Sequence, residues 1–335
     1  MDTYAALSGK PAPRPLMTPV VFSNHDGLRL FGILHQPPVV REGAETVLIL
    51  SPGVKMRVAP HRLYNKLADR FVAMGHPVLR FDFHGLGDSG GQAPEALLAD
   101  FYCATQLGRY VQDTVAAMDW MQRTYGARRF LATGLCGGAL TGLLTAAKDS
   151  RIVGLFGISI PVILDGTNRD ASKHMTVAQL SDIRSGYLRK LRTADWRAWV
   201  RLLTFRSDYS MIGRALLKPF QTRLNRAQPS PTASEAADPA DNTNPLFAPA
   251  FKTMVASSRP VRLVFGESDR LFWEFEDKFM KRHRASLEPY SQSYQVHVTP
   301  SANHIFSASQ WQDDLFAQCS NWLEGLGQKR NGAVA

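Results

Sequence analysis

The feature that most constrains the fold is a repeated pairing of short apolar runs with helix-forming stretches of about 10 to 15 residues. Thr46 to Leu50, Pro77 to Phe83, Phe130 to Thr133 and Ile152 to Ser159 read as strands. Between them lie helical stretches from about His61 to Met74, Tyr110 to Tyr125 and Gly138 to Ala147. A strand that is apolar at successive positions must be covered on both faces, and short links through helices make neighbouring strands parallel. The expected fold class is therefore α/β: a doubly wound, mostly parallel sheet. An antiparallel hairpin precedes it, because residues 18 to 36 alternate polar and apolar positions about Asn24-His25-Asp26-Gly27.

The rhythm breaks at Pro161. Residues 162–259 are polar and helix-prone, with Trp196, Trp199, Leu202, Leu203 and Phe205 on an amphipathic stretch and a Pro/Ala/Ser/Asn-rich segment within 228–244. This predicts a helical lid inserted into the core, with a flexible loop at 228–244. The core then comprises 20–161 and 260–328. Its second part is a strand Val261 to Phe265, a helix from about Phe272 to Arg284, a strand Tyr294 to Val298 and a closing helix from about Ala308 to Leu326.

Composition removes several function classes. The 335 residues are 44% hydrophobic and 20% charged, against disorder, and no apolar run approaches the roughly 20 residues of a membrane span. Met1 to Pro19 carries Pro11, Pro13 and Pro15 and lacks the charged and apolar regions of a secretory signal, so a cytoplasmic protein is expected. The three cysteines, Cys103, Cys136 and Cys319, form no CxxC pair and join no histidine cluster, which predicts no disulfide framework, metal site or cofactor. The net charge of +10 comes from scattered Lys and Arg without a basic tract, a poor match for nucleic acid. An acidic acyl-carrier protein or a phosphate-bearing thioester suits the same charge.

Strand Phe130 to Thr133 runs into Gly134-Leu135-Cys136-Gly137-Gly138 and then a helix. This is a GxSxG nucleophile turn with cysteine in the serine position. The glycines let strand and helix approach each other, and the helix N-terminus favours negative charge on sulfur. The partners should follow in the order acid, then histidine, each after its own strand. Asp269 follows Val261 to Phe265, and His304 follows Tyr294 to Val298. His304 is the expected base and Asp269 the group that orients it. Glu267, Asp277 and Asp165 are rival acids. Asp269 is preferred because it lies three residues beyond Gly266, where the loop can turn a carboxylate back towards the histidine. Cys103 and Cys319 fall in helical segments and read as core or interface residues.

An oxyanion would be held by the backbone N–H of Gly137 and by that of Val54 or Lys55, in the loop after Thr46 to Leu50. Arg57, His61 and Arg62 in the same region form a basic group, read either as a solvated face or as contacts to a substrate phosphate or carboxylate. The acidic residues of Arg80-Phe81-Asp82-Phe83-His84-Gly85-Leu86-Gly87-Asp88-Ser89-Gly90 precede the nucleophile, and such loops use Asp to hydrogen-bond their own backbone.

With those residues placed, the chain resembles the α/β-hydrolase superfamily over nearly all of 20–326. PGVKMRVAPHR, LRFDFHGLGDSGG, GLCGGA, NPLF and FGESD together look like the exosortase-associated hydrolase group. The GxCxG turn is also similar to those of dienelactone hydrolases and polyhydroxyalkanoate synthases, though the former lack a long lid and the latter are typically longer. The resemblance implies an α/β-hydrolase fold and acyl chemistry on a small-molecule substrate. A cysteine nucleophile makes the acyl-enzyme a thioester, which favours exchange with a CoA or carrier-protein thioester. A thioesterase or acyltransferase is thus expected first and a carboxylic ester or lactone hydrolase second. A ligand-binding protein on a degenerate hydrolase fold is the non-enzyme alternative.

Overall fold

The computed structural model describes residues 15–95, 97–165 and 242–331, with side chains through 327. Its strands are β1 (Leu16–Ser23), β2 (Arg29–Gln36), β3 (Thr46–Leu50), β4 (Val78–Phe81), β5 (Phe130–Leu135), β6 (Ile152–Ile158), β7 (Val261–Gly266) and β8 (Tyr294–Thr299). They form one sheet in the order β1-β2-β4-β3-β5-β6-β7-β8. β1 and β2 pair antiparallel, as do β2 and β4, and every later pairing is parallel. The opening hairpin and the parallel sheet thus agree with the sequence reading.

All five residues of β3 are buried, and their alternation divides the core. Leu48 and Leu50 join the layer under α2 (Leu98–Gln106), α3 (Val111–Tyr125), α4 (Gly137–Lys148) and α5 (Phe247–Ala256). Val47 and Ile49 join the opposite layer, under α1 (Leu63–Ala73) and α8 (Ser309–Asn331). Between β7 and β8 lie α6 (Arg270–Glu274), a π-helical segment (Phe275–Met280) and α7 (Lys281–Leu287). A period-2 strand with apolar residues on both sides demands this two-faced cover.

Most of the stretch expected as a lid, including Trp196, Trp199, Leu202, Leu203 and Phe205, lies outside the described residues. Its two ends are described. Ile163 pairs with Thr243 in an isolated antiparallel bridge. From there the chain enters α5, where Phe247, Ala250, Phe251, Met254 and Val255 are buried. That i, i+3, i+4, i+7, i+8 spacing makes α5 an amphipathic helix of the core. Two of its rings, Phe247 and Phe251, meet Phe279 of the π-helical segment at centroid distances of 4.8 and 5.2 Å. No described helix is long and apolar enough to cross a membrane.

Candidate active site

The carboxyl ends of the parallel strands converge on Cys136, which follows β5 directly and caps α4. Its backbone is held at φ 55° and ψ −119°. A side chain at positive φ costs on the order of 1–3 kcal/mol and persists where the surroundings dictate it. They do so here: the Cys136 N–H donates to Ile158 O at 2.8 Å, tying the turn to β6. Neighbouring atoms leave no room for side chains at the flanking glycines. A Cβ on Gly134 would come within 2.7 Å of the Gly138 carbonyl carbon, and one on Gly138 would overlap the Leu50 carbonyl oxygen. The buried Tyr64 hydroxyl spans the same crossing, accepting from Leu135 N at 2.7 Å and donating to Leu50 O at 2.7 Å.

Asp269 and His304 are brought together from the loops after β7 and β8. His304 Nδ1 lies 2.9 Å from Asp269 Oδ2, and Asp269 Oδ1 accepts from Leu271 N at 3.0 Å. The two loops are stitched together by Ser268 N to Ala302 O at 2.9 Å and Glu267 N to Thr299 O at 3.0 Å. Burial works against the charged form of Asp269. The hydrogen bond and charge of His304, with help from Ser159 and Leu271 N–H, outweigh it and hold the carboxyl below its usual range. Burial likewise acts to lower His304, but the interactions with Asp269 and Cys136 prevail and raise it to about 10. With Nδ1 committed to Asp269, Nε2 is the nitrogen left for the sulfur.

The rival acids have other partners. Glu267 Oε2 accepts from Ser301 N at 2.7 Å, and Asp277 pairs with Lys281 at 2.6 Å on an exposed helix face. Asp165 Oδ2 accepts from Gln106 Nε2 at 2.9 Å, while Asp165 N donates to Gln106 Oε1 at 2.8 Å. Cys103 sits in α2, and Cys319 is buried in α8, where burial pushes its thiol up to about 12.

Cys136, His304 and Asp269 line one cavity of about 710 Å³, together with Leu98, Tyr102, Gln106, Pro161, Asp165, Arg270 and Leu271. The contribution of α2 to the cavity escaped the sequence reading; its signal is a stretch from Leu98 to Gln106 without Gly or Pro. Gly137 abuts the loop after β3: a Cβ there would lie 3.2 Å from Pro52 O and 3.3 Å from Gly53 Cα. Val54 follows directly, half-buried, and Lys55 is exposed.

The basic group is not part of this wall. His61 and Arg62 are exposed on a 3₁₀ turn (Pro60–Arg62), both at positive φ. Arg57 turns away to carboxylates, pairing with Asp82 and with Asp88 at 2.7 Å. Of the three residues read as a solvated face or as substrate contacts, Arg57 is thus engaged in ion pairs with the loop after β4. Among the described residues no group of His, Cys, Asp and Glu could hold a metal ion.

A family model described as the alpha/beta hydrolase family matches residues 48–318. No curated protein matches the sequence. Among solved structures, an esterase from Pyrococcus furiosus is 16% identical, with 92% of this chain and 91% of that chain covered and a TM-score of 0.54. The alpha/beta hydrolase GrgF from Penicillium sp. sh18 is also 16% identical, with 93% and 98% covered and a TM-score of 0.51. At such identity these similarities speak for the fold alone.

Proposed function

Since this chain belongs to the alpha/beta hydrolase family and is an enzyme of the hydrolase type, we propose that it transfers acyl groups through an acyl-cysteine intermediate. Cys136 is the nucleophile, His304 the proton carrier and Asp269 the residue that orients His304. The observation that carries this reading is the His304–Asp269 hydrogen bond of 2.9 Å, on the wall of the cavity that also holds Cys136 at a strained helix start.

In this reading His304 takes up the thiol proton, and the Cys136 sulfur attacks the acyl carbonyl carbon. The displaced electron pair on oxygen is stabilised by the N–H of Gly137 and that of Val54 or Lys55. The bond from carbonyl carbon to donor sulfur or oxygen then breaks, and the leaving group takes the proton from His304. In the second half an acceptor gives its proton to His304 and attacks the thioester, which returns the sulfur.

Thioester donors of the CoA or carrier-protein kind are favoured because loading Cys136 from a thioester exchanges one thioester for another. An oxygen ester must climb to the same intermediate. Leu98, Pro161 and Leu271 supply apolar wall for the acyl chain. The motifs resembling the exosortase-associated group fit this reading without narrowing the substrate.

Hydrolysis of a carboxylic ester is the second reading, and it fits the same residues. Rates with matched thioester and oxygen-ester donors, each with water, amine or alcohol as acceptor, separate the two. A thioester preference with faster discharge to amines or alcohols supports transfer. Equal use of oxygen esters, with water as the working acceptor, replaces it with ester hydrolysis.

A further inference from the structure

Arg57, which does not reach the cavity, is among the most tightly held residues of the loop after β3. Its backbone N–H donates to Asp82 Oδ1 at 2.6 Å, and its carbonyl accepts from Arg80 Nη1 at 3.2 Å. One guanidinium nitrogen bonds Asp82 Oδ2, and another bonds Asp88 Oδ2 at 2.7 Å. The guanidinium carbon stands 4.6 Å over the centre of the Phe31 ring. The donor, the acceptor and the side chain of one residue are thus all engaged.

Asp82 is fully buried at the end of β4, and its Oδ2 also accepts from Asp88 N at 3.1 Å. Gly87 sits at φ 54° where any side chain would run into the Asp82 carboxylate, so the turn from 82 to 88 wraps round that group. Burying such charges gains little stability over a packed apolar substitute of the same shape. The arrangement does fix one segment in one place. That segment begins at Pro52 and Gly53, which lie against Gly137, and continues through Val54 to Arg57.

We propose that Asp82 and Arg57 are positioning residues for the oxyanion hole: their ion pair holds the loop so that the N–H at Val54 or Lys55 faces the same point as that of Gly137. The inference rests on the acyl-cysteine reading above. It assigns the two residues no contact with substrate.

The test compares two reactions of Cys136 in the full-length protein, for wild type, Arg57→Met, Asp82→Asn and the conservative Arg57→Lys. Acylation by an uncharged acyl-pantetheine thioester or p-nitrophenyl ester forms an oxyanion. Alkylation by iodoacetamide joins sulfur to carbon with loss of iodide and forms none. Loss of one oxyanion donor slows turnover by about 10²–10³-fold. Acylation by Arg57→Met and Asp82→Asn is therefore expected to fall by about 10²-fold with KM little changed, while alkylation stays within about twofold of wild type. Arg57→Lys recovers part of the loss, and it carries the test if either stronger variant fails to fold.

Acylation unchanged in the folded variants, or both reactions slowed alike, overturns the inference. A loss confined to phosphate-bearing donors such as acyl-CoA, with uncharged donors unaffected, overturns it in favour of a direct substrate contact by Arg57. A wild type that accepts acyl groups from no donor removes the acyl-cysteine reading and this inference together. A wild type that does, at the rate of its variants, removes the inference alone.

Discussion

His304 Nδ1 and Asp269 Oδ2 stand 2.9 Å apart although 35 residues separate them in the chain. Gly266 makes the approach possible, because a Cβ there would collide with the backbone of Ala302. Asp269→Asn keeps the shape of this contact but removes its charge. We expect turnover to fall by about 10²–10⁴-fold and His304, at about 10 in the wild type, to titrate at lower pH in the variant. NMR titration of the imidazole alongside steady-state rates checks both. An unchanged titration would place the His304 proton under some other control.

Gly138→Ala is expected to damage folding and activity together. The added methyl meets the Leu50 carbonyl oxygen and lies 2.7 Å from Ser51 O, both backbone atoms with little freedom to yield. Overpacking of this kind costs about 1–3 kcal/mol. Urea unfolding measures the loss; a variant of wild-type stability would mean that the nucleophile turn has slack the geometry does not reveal.

Tyr64→Phe removes one hydroxyl and leaves two buried backbone groups, Leu135 N–H and Leu50 C=O, without the partner they share. The expected cost is about 1–3 kcal/mol. The variant also removes one tie between the end of β3 and the end of β5, which stay paired in the sheet, so acylation should slow even where the protein is fully folded. Unfolding midpoints and acylation rates on the same sample report the two effects.

Acid sensitivity should trace to His35. This buried imidazole accepts from Arg80 Nε at 2.8 Å, and burial, reinforced by the Arg80 charge, lowers its pKa from 6.5 to about 4. A histidine with a depressed folded pKa contributes stability that is fully present above 6.5 and is lost as pH falls from there towards 4. The shift corresponds to roughly 3 kcal/mol at most. In His35→Gln the amide oxygen can accept from Arg80 without titrating. Between pH 7 and pH 4.5 the wild type should therefore lose more stability to urea than His35→Gln does. Equal losses would assign the acid sensitivity to other groups.

The sheet and the three candidate catalytic residues were legible because each signal is local. A continuous apolar run such as Val47 to Leu50 announces burial on both faces, and Cys136, Asp269 and His304 each come after a strand at its carboxyl end, although the edge strand before His304 carries Gln295 and His297 and is only half-buried. What stayed hidden depends on distant partners. Arg57 reads as a free cation beside the site until the fold brings Asp82, 25 residues on, against it. Likewise Gln106 and Asp165 are 59 residues apart and meet only at the cavity wall. The helix Phe247–Ala256 carries its own apolar spacing inside the stretch read as polar and helix-prone, and Pro249 lies in its first turn. Proline in the first turn of a helix removes no intrahelical hydrogen bond, so the helix forms regardless.

The central claim is that an acyl group passes through the Cys136 sulfur, and intact-mass measurement tests it most directly. Wild type and Cys136→Ala, mixed with a panel of acyl-CoA, acyl-pantetheine and p-nitrophenyl donors, are quenched in acid and weighed. The account predicts an adduct of one acyl mass on the wild type, mapping to the peptide that contains Cys136 and absent from Cys136→Ala. Donor consumption at equal rates by both proteins, with no adduct on Cys136, would contradict it.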